Sequence, residues 1–224
     1  MVRDSFRFLR AIIRDRRTVG AIAPSGRHLA ACVVRSLGTL EPGSIIVELG
    51  PGTGIFTRAI CRRHPRCHVV AIEIDRYLAN TLDRALPQAR VIHGCATKIR
   101  EHLQKLGLDP SRVAAVVSGL PLLVLPDNLP ARILDEVTET LPEGARFVQF
   151  TYSRLAWRRF TPQRLRFLRA YLVVSNIPPA SVLVFSKAQH APPDAGRLRR
   201  IKKPRPRGRR LFGVIPRRSR NISS

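Results

Sequence analysis

A short apolar run ends in a glycine turn at residues 44–54 of this 224-residue chain, with the sequence Ser-Ile-Ile-Val-Glu-Leu-Gly-Pro-Gly-Thr-Gly. The β-branched run predicts a strand, and the residues that follow the turn have a helical pattern. Glycine permits positive φ angles and lets backbone N–H groups approach a ligand, while a helix N-terminus adds positive potential. The turn therefore predicts a ligand-binding site. The alternative is a tight strand–helix connection that binds nothing.

An acidic residue at the end of the next predicted strand makes the ligand more specific. Glu73 lies near the end of the run Val69–Ile74, 19 residues beyond Gly54. A carboxylate about 20 residues after a glycine turn, at a strand tip, accepts hydrogen bonds from both hydroxyls of an adenosine ribose. The alternative is that Glu73 and Asp75 form a surface pair flanking Arg76.

Strand-like and helical segments alternate along the middle of the chain. Strands that alternate with helices of about 10–15 residues indicate a parallel sheet. We therefore predict an α/β, Rossmann-like fold, with a mostly parallel central sheet and helices on both faces. The predicted strands are 44–49, 69–74, 90–92, 113–117, 146–150 and 182–185, and the predicted helices are 25–37, 54–63, 76–86 and 128–140, with Ser25 as an N-cap.

The chain is strongly basic, and the charge is concentrated at its two ends. Its 40 Lys and Arg residues, 35 of them Arg, outnumber 15 Asp and Glu, which gives a net charge of +25. Such a charge favours polyanionic partners, either nucleic acid or an anionic bilayer. We predict three parts: a membrane-binding helix at 1–17 with net charge +4, a folded domain at 18–189, and a basic, poorly ordered tail at 190–224.

The first 17 residues have the periodicity of a basic amphipathic helix. Apolar residues form one stripe, and arginines at spacings of three and four residues form a second stripe beside it. A helix of this kind binds at a membrane surface. The alternative is that its apolar stripe packs on the folded domain. The residues predicted to bind the membrane are Phe6, Arg7, Leu9, Arg10, Ile13, Arg14 and Arg17.

Cysteine usage and hydropathy bear on the compartment. Four unevenly spaced cysteines without a leader pattern favour free thiols in a reducing cytosol. No uncharged run reaches the roughly 20 residues that a membrane-spanning helix needs. Cys61, His64 and Cys67 are of types that bind zinc, but the turn at Pro65 separates them, so we expect no metal site.

The glycine turn and the acidic strand end together resemble the S-adenosylmethionine site of class I methyltransferases. Glu-Leu-Gly-Pro-Gly-Thr-Gly at 48–54 and Ala-Ile-Glu-Ile-Asp at 71–75 carry the resemblance. It implies S-adenosyl-L-methionine as the cofactor. The cofactor-binding residues it implies are Glu48, Gly50, Gly52 and Gly54 at the methionine part, Glu73 at the ribose, and Ile74, Cys95, Ala96 and Ser118 elsewhere along the cofactor. Similar enzymes carry Asp where Cys95 stands, and a thiol is a weak donor and acceptor, which leaves the adenine contact open.

The loop after the fourth predicted strand, Ser118-Gly-Leu-Pro-Leu-Leu123, bears on the methyl acceptor. In class I methyltransferases this loop lies beside the transferred methyl group. Enzymes that methylate adenine carry Asn or Asp, then Pro, then an aromatic residue on which the flipped base stacks. This chain has Ser118 at the amide position and Leu122 at the ring position. The loop itself therefore offers no ring for stacking a base.

The combination resembles the bacterial phospholipid N-methyltransferases, which are related to the rRNA adenine dimethyltransferases. Residues 18–25, 148–153 and 176–181 also carry the likeness, which spans roughly residues 6–187. It implies N-methylation of the phosphatidylethanolamine head group by a methyltransferase domain at 18–189. It also implies a cytoplasmic enzyme bound peripherally to the inner membrane. An RNA adenine N6-methyltransferase and a polyanion-binding protein that has lost catalysis remain alternatives, and the tail leaves nucleic-acid binding open.

The acceptor amine must be aligned with the methyl group and must lose a proton before it attacks. We expect the backbone carbonyls of Ser118, Gly119 and Leu120 to hold it. His93, at a strand tip, and Tyr152 are the candidate general bases. The alternative is that His93 only supports a loop and that Tyr152 packs against its neighbours.

Overall fold

The computed structural model describes residues 24–126, 128–152, 164–174 and 179–187, in which strands and helices alternate. The strands are β1 Ile45–Leu49, β2 His68–Glu73, β3 Ala89–His93, β4 Val113–Ser118, β5 Arg146–Thr151, β6 Leu165–Val173 and β7 Ala180–Lys187. The helices are α1 Pro24–Leu37, α2 Ile55–Arg63, α3 Arg76–Ala85, α4 Ile99–Lys105 and α5 Leu129–Thr140, with short 3-10 turns at Ala96–Lys98 and Pro110–Arg112.

The strands join in one seven-stranded sheet with the order β3-β2-β1-β4-β5-β7-β6. Strands β1 to β5 pair in parallel, whereas β7 runs antiparallel to both of its neighbours, β5 and β6. The chain adds β2 and β3 on one side of β1 and then returns to place β4 and the later strands on the other side of β1. The order reverses between β1 and β4, and the carboxyl ends of such a pair are where doubly wound sheets bind their ligands.

Helices cover both faces of the sheet because the central strands are apolar on both. Ile45, Val47 and Leu49 of β1 belong to a core with α4 and α5, whereas Ile46 belongs to a second core with α1 and α2. Successive side chains of a strand point to opposite faces, so a strand covered on both sides is a continuous apolar run. The side chain of Glu48 lies on the same face of β1 as that of Ile46 and places an acidic group within this apolar run.

The predicted fold class is confirmed: the sheet is mostly parallel and has helices on both faces. The predicted elements agree with the observed bounds to within two residues. Two elements were missed. Helix α4 has seven residues and buries only three of them, and the edge strand β6 is exposed along most of its length without an alternating pattern. The prediction of Ser25 as an N-cap is wrong, because α1 begins at Pro24 and Ser25 lies within its first turn.

Parts of the predicted organisation lie outside the described residues. These are the amphipathic helix at 1–17, with all of its predicted membrane-binding residues, and the basic tail at 190–224. Both remain predictions from the sequence. Within the described ranges, no helix combines the length and the apolar character that a membrane crossing requires.

Candidate active site

The glycine turn lies at the carboxyl end of β1, at the point where the strand order reverses. Gly50, Gly52 and Gly54 have φ angles of 68°, 56° and 79°, in the left-handed region that other residues rarely adopt. The Gly50 amide donates to the Ile72 carbonyl at 2.9 Å, which ties the turn to β2. A Cβ placed on Gly52 would meet no atom within 4 Å. The turn is therefore rigidly held on its strand side and open at Gly52.

Glu73, at the end of β2, holds the glycine turn from the side. Its Oε2 accepts from the Gly52 amide at 3.0 Å and its Oε1 accepts from the Asp75 amide at 2.9 Å. The side chain is fully buried, and burial raises the pKa of Glu73 although the backbone amides of Asp75, Gly52 and Ile74 oppose the rise. The carboxylate thus lies directly at the turn, where the sequence placed it. Its bond to a ribose stays a prediction.

Asp75 does not form a surface pair with Glu73. Its side chain caps helix α3 and accepts from the backbone amides of Tyr77 and Leu78 at 2.9 and 3.1 Å. An N-cap carboxylate satisfies amides that have no partner within the helix. Glu73 and Asp75 therefore have separate tasks, one at the turn and one at the helix.

Glu48 lies beneath the turn as a buried acid. Neither of its carboxylate oxygens has a hydrogen-bond partner of acceptable geometry among the described residues. Burial raises the pKa of Glu48 to about 7; the Thr57 hydroxyl opposes this rise, and the charge of Glu73 adds to it. Two buried carboxylates next to one open turn favour a ligand with positive charge.

The end of β3 provides the region where the adenine was predicted. Cys95 Sγ lies 3.0 Å from the Thr97 hydroxyl. The neighbouring His102 ring hydrogen-bonds to the backbone of Cys95, and burial lowers the pKa of His102. The remaining predicted residues of this region, Ile74 and Ala96, are partly buried against the core. The thiol is thus already paired with a hydroxyl, which leaves the adenine contact open.

His93 does not lie with the acceptor loop. It is exposed at the carboxyl end of the edge strand β3, and β2 and β1 separate it from β4 and Ser118. Three strand spacings of about 4.8 Å put these positions roughly 14 Å apart. At this distance His93 cannot reach an amine at the acceptor loop, so the structure does not support the prediction of His93 as its general base. The prediction failed because spacing in the sequence does not reveal the order of the strands.

The acceptor loop packs tightly against the glycine turn. The Gly119 amide donates to the Leu49 carbonyl at 2.8 Å, and a Cβ on Gly119 would collide with the Gly50 carbonyl oxygen. Ser118 is buried, and its hydroxyl accepts from the Leu120 amide at 3.3 Å. Only glycine permits this approach, so position 119 links the cofactor turn and the acceptor loop.

The carbonyl of Leu120 is not available to an amine, contrary to the prediction from the sequence. It accepts from the Leu122 amide at 2.9 Å and from Gln149 Nε2 at 3.0 Å. A carbonyl oxygen has two lone pairs, and both are occupied. Sequence reasoning missed Gln149 because its place at the loop depends on the pairing of β5 with β4, in which it lies opposite Ser118.

An apolar cavity of about 450 Å³ opens beside the acceptor loop. The loop, β5 and β7 form most of its described wall. Tyr152 lines it, is 43% exposed and packs edge-on against Phe150 with ring centroids 5.6 Å apart. Tyr152 thus lies near the loop and packs against a neighbour, and its role as a general base stays a prediction. The described lining residues are Leu120, Pro121, Leu122, Leu123, Val124, Leu134, Phe147, Gln149, Phe150, Thr151, Tyr152, Leu183 and Phe185.

The residues present fit S-adenosylmethionine. The open side of Gly52 leaves room at the turn, Glu73 stands beside it, and the buried carboxylate of Glu48 complements a cationic ligand. When bound, this cofactor supplies a methyl group on a positively charged sulfur. A doubly wound sheet with this turn and acidic strand end at its switch point is built to bind an adenosine-containing ligand. Together with the buried Glu48, it fits the class I S-adenosylmethionine-dependent methyltransferases.

Comparison with known proteins then gives the family. The chain is 30% identical over 183 residues to an ornithine lipid N-methyltransferase from Singulisphaera acidiphila, and the match covers 80% of this chain and 94% of that protein. The chain therefore belongs to the family of bacterial lipid N-methyltransferases, and it is an S-adenosylmethionine-dependent N-methyltransferase. The resemblance seen in the sequence is confirmed.

The relation to the rRNA enzymes is also confirmed. Residues 29–98 match the family described as ribosomal RNA adenine dimethylase. A ribosomal RNA small subunit methyltransferase A from Maridesulfovibrio salexigens is 35% identical over 108 residues, which cover 48% of this chain and 39% of that protein. The family match ends before the acceptor loop, so it concerns the cofactor half of the domain.

Solved structures share the fold. The N-methyltransferase NodS from Bradyrhizobium japonicum WM9, in complex with S-adenosyl-L-homocysteine, superposes with a TM-score of 0.59 at 13% identity, covering 74% of this chain and 89% of that chain. TrmN from Thermus thermophilus gives a TM-score of 0.59 at 20% identity, covering 71% of this chain and 48% of that chain. At these identities the similarity is one of architecture.

Proposed function

We propose that this enzyme methylates the primary amine of a membrane lipid, with phosphatidylethanolamine as the first candidate, at the cytoplasmic surface of the inner membrane. The observation that carries the proposal is the apolar cavity beside the acceptor loop. The transferred methyl group is expected next to that loop, so the acceptor must enter the cavity. A largely hydrocarbon wall favours an amine attached to an apolar body.

The rim of the cavity supports entry of a lipid. Val124 and Tyr152 both line it and are 52% and 43% exposed, whereas Leu122 at its wall is buried. Exposed apolar side chains around a pocket mouth are typical of sites that meet a partner or a membrane. A lipid head group that enters between them would keep its hydrocarbon part in apolar surroundings.

The aromatic ring of Tyr152 suits the head group as well. A ring face attracts alkylammonium groups through its quadrupole. It would also stack on a nucleobase, which keeps RNA adenine as an outcome of the tests. The loop residues Leu120 to Val124, which carry no aromatic ring, favour the lipid.

The cavity itself helps to remove the proton from the amine. Among its described lining residues, Tyr152 is the only one with a titratable side chain. Apolar surroundings disfavour a charged ammonium and lower its pKa, so the neutral nucleophile forms more readily there than in water. The proton passes to water before the amine is enclosed, so the proposal needs no dedicated general base within the cavity.

Attachment to the membrane rests on the chain termini. The net charge of +25 and the amphipathic pattern of residues 1–17 support binding to an anionic surface. Each Arg near such a surface contributes about 1 kcal/mol. The helix acts as the anchor in this proposal, and the tail adds electrostatic attraction.

An ornithine lipid is the second candidate acceptor, because a relative that matches 80% of this chain is named for that substrate. Purified protein is incubated with radiolabelled S-adenosylmethionine and phosphatidylglycerol vesicles that contain either phosphatidylethanolamine or an ornithine lipid. The organic phase is then separated by chromatography. Label in N-methylated phosphatidylethanolamine supports the first candidate, and label only in the ornithine lipid replaces it with the second. No label in either lipid overturns the proposal.

A further inference from the structure

A buried glutamine stands where the acceptor loop meets β5. Gln149 is 8% exposed and lines the apolar cavity. In the parallel pairing of β4 with β5 it lies opposite Ser118. The sequence shows a serine where adenine methyltransferases carry an amide, and the structure supplies an amide from the neighbouring strand.

Two hydrogen bonds fix the orientation of this amide. Gln149 Nε2 donates to the Leu120 carbonyl at 3.0 Å and to the Phe150 carbonyl at 2.6 Å. An amide nitrogen has two N–H groups, and both are therefore committed to the backbone. The side chain is held in one orientation, and its oxygen is the only polar atom left for another partner.

That oxygen lacks a partner. Gln149 Oε1 is buried and accepts no hydrogen bond within the described part of the chain. A buried acceptor without a donor costs free energy, which a ligand N–H would recover. The Leu120 carbonyl is already saturated, so Gln149 Oε1 is a buried side-chain acceptor without a partner in a residue that lines the cavity.

We infer that Gln149 binds the acceptor amine, with Oε1 accepting a hydrogen bond from the amine N–H and so directing the nitrogen lone pair. The inference rests on the proposed function, in which the acceptor is a lipid amine. A neutral primary amine has two N–H groups, its monomethyl form has one, and its dimethyl form has none. A quaternary ammonium has none at any pH. The contact therefore weakens as methyl groups accumulate, and the fully methylated product cannot make it.

This dependence on N–H groups separates amine binding from a merely structural role. Short-chain phosphatidylethanolamine and phosphatidylcholine, below their micelle concentrations, are titrated calorimetrically into protein saturated with S-adenosylhomocysteine. For Gln149→Met we expect an approximately 3- to 10-fold loss of affinity for the ethanolamine lipid, the range of one hydrogen bond, and a change within about twofold for the choline lipid. Gln149→Glu keeps an oxygen acceptor and should retain the preference for the ethanolamine lipid.

Controls make the outcomes distinct. Gln104 is exposed on α4, so Gln104→Met makes the same chemical change away from the cavity and should alter neither affinity. Equal losses for both lipids in Gln149→Met would assign Gln149 to supporting the loop and overturn the inference, as would no loss for either. If the wild-type protein binds and methylates neither lipid amine, the proposed function itself fails.

Discussion

Glu48 gives a prediction whose magnitude follows from the structure. Its carboxyl is fully buried, and its pKa is raised from 4.5 to about 7. A group whose native pKa is higher than its unfolded pKa binds its proton more tightly in the native state, so the free energy of unfolding falls as the pH rises between the two values. The shift of 2.5 units corresponds to about 3 kcal/mol at pH values well above 7, at 1.36 kcal/mol per unit.

Glu48→Gln removes the buried charge and keeps the shape of the side chain. The difference in unfolding free energy between variant and wild type should therefore move in favour of the variant by about 2–3 kcal/mol from pH 5 to pH 8. Contributions of groups that do not interact with Glu48 cancel in this difference. Urea unfolding followed by circular dichroism at pH 5, 6, 7 and 8, without cofactor, measures it.

The matched control is Glu143→Gln, which removes a carboxylate from an exposed turn rather than a buried charge. A difference between Glu48→Gln and wild type that stays constant from pH 5 to pH 8 would refute the reasoning. It would mean that Glu48 is neutralised or paired in a way that the structure does not show.

Three further predictions concern the cofactor, the loop and the membrane. Glu73→Ala should weaken S-adenosylhomocysteine binding by at least 10-fold, roughly 1.4 kcal/mol, because it removes a charged acceptor and loosens the turn. Calorimetry with Glu143→Ala as the control measures this loss, and unchanged affinity would contradict the ribose assignment. Gly119→Ala should lower kcat strongly and change the unfolding midpoint comparatively little, because the added Cβ meets the Gly50 carbonyl and displaces the acceptor loop. A fully active variant would show that the close approach is dispensable. Removal of residues 1–17 should abolish sedimentation with anionic vesicles at physiological salt, and full sedimentation would assign the anchor to another part of the chain.

The cofactor half of the site could be predicted because its determinants are contiguous. The glycines of the turn and Glu73 lie in two short motifs, each at the end of a strand, and parallel pairing of β1 with β2 brings them together. The strands themselves were evident because central strands buried on both faces are continuous apolar runs. Edge strand β6 has no such pattern, since neither of its faces is uniformly buried.

The acceptor half could not be predicted in the same way. The place of Gln149 depends on the register between β4 and β5, and the distance of His93 from Ser118 depends on strand order. Neither quantity is encoded in local spacing. The occupied state of the Leu120 carbonyl follows from two donors that lie two and 29 residues away in the sequence, so only the folded chain reveals it.

The destination of the methyl group tests the account most directly. One reaction contains the full-length protein, radiolabelled S-adenosylmethionine, vesicles of phosphatidylethanolamine and phosphatidylglycerol, and unmodified ribosomal RNA, and the label is counted after phase extraction. The account predicts that the label enters the organic phase in a methylated amino lipid and that the RNA stays unlabelled. Label in the RNA, with none in the lipid, would contradict it.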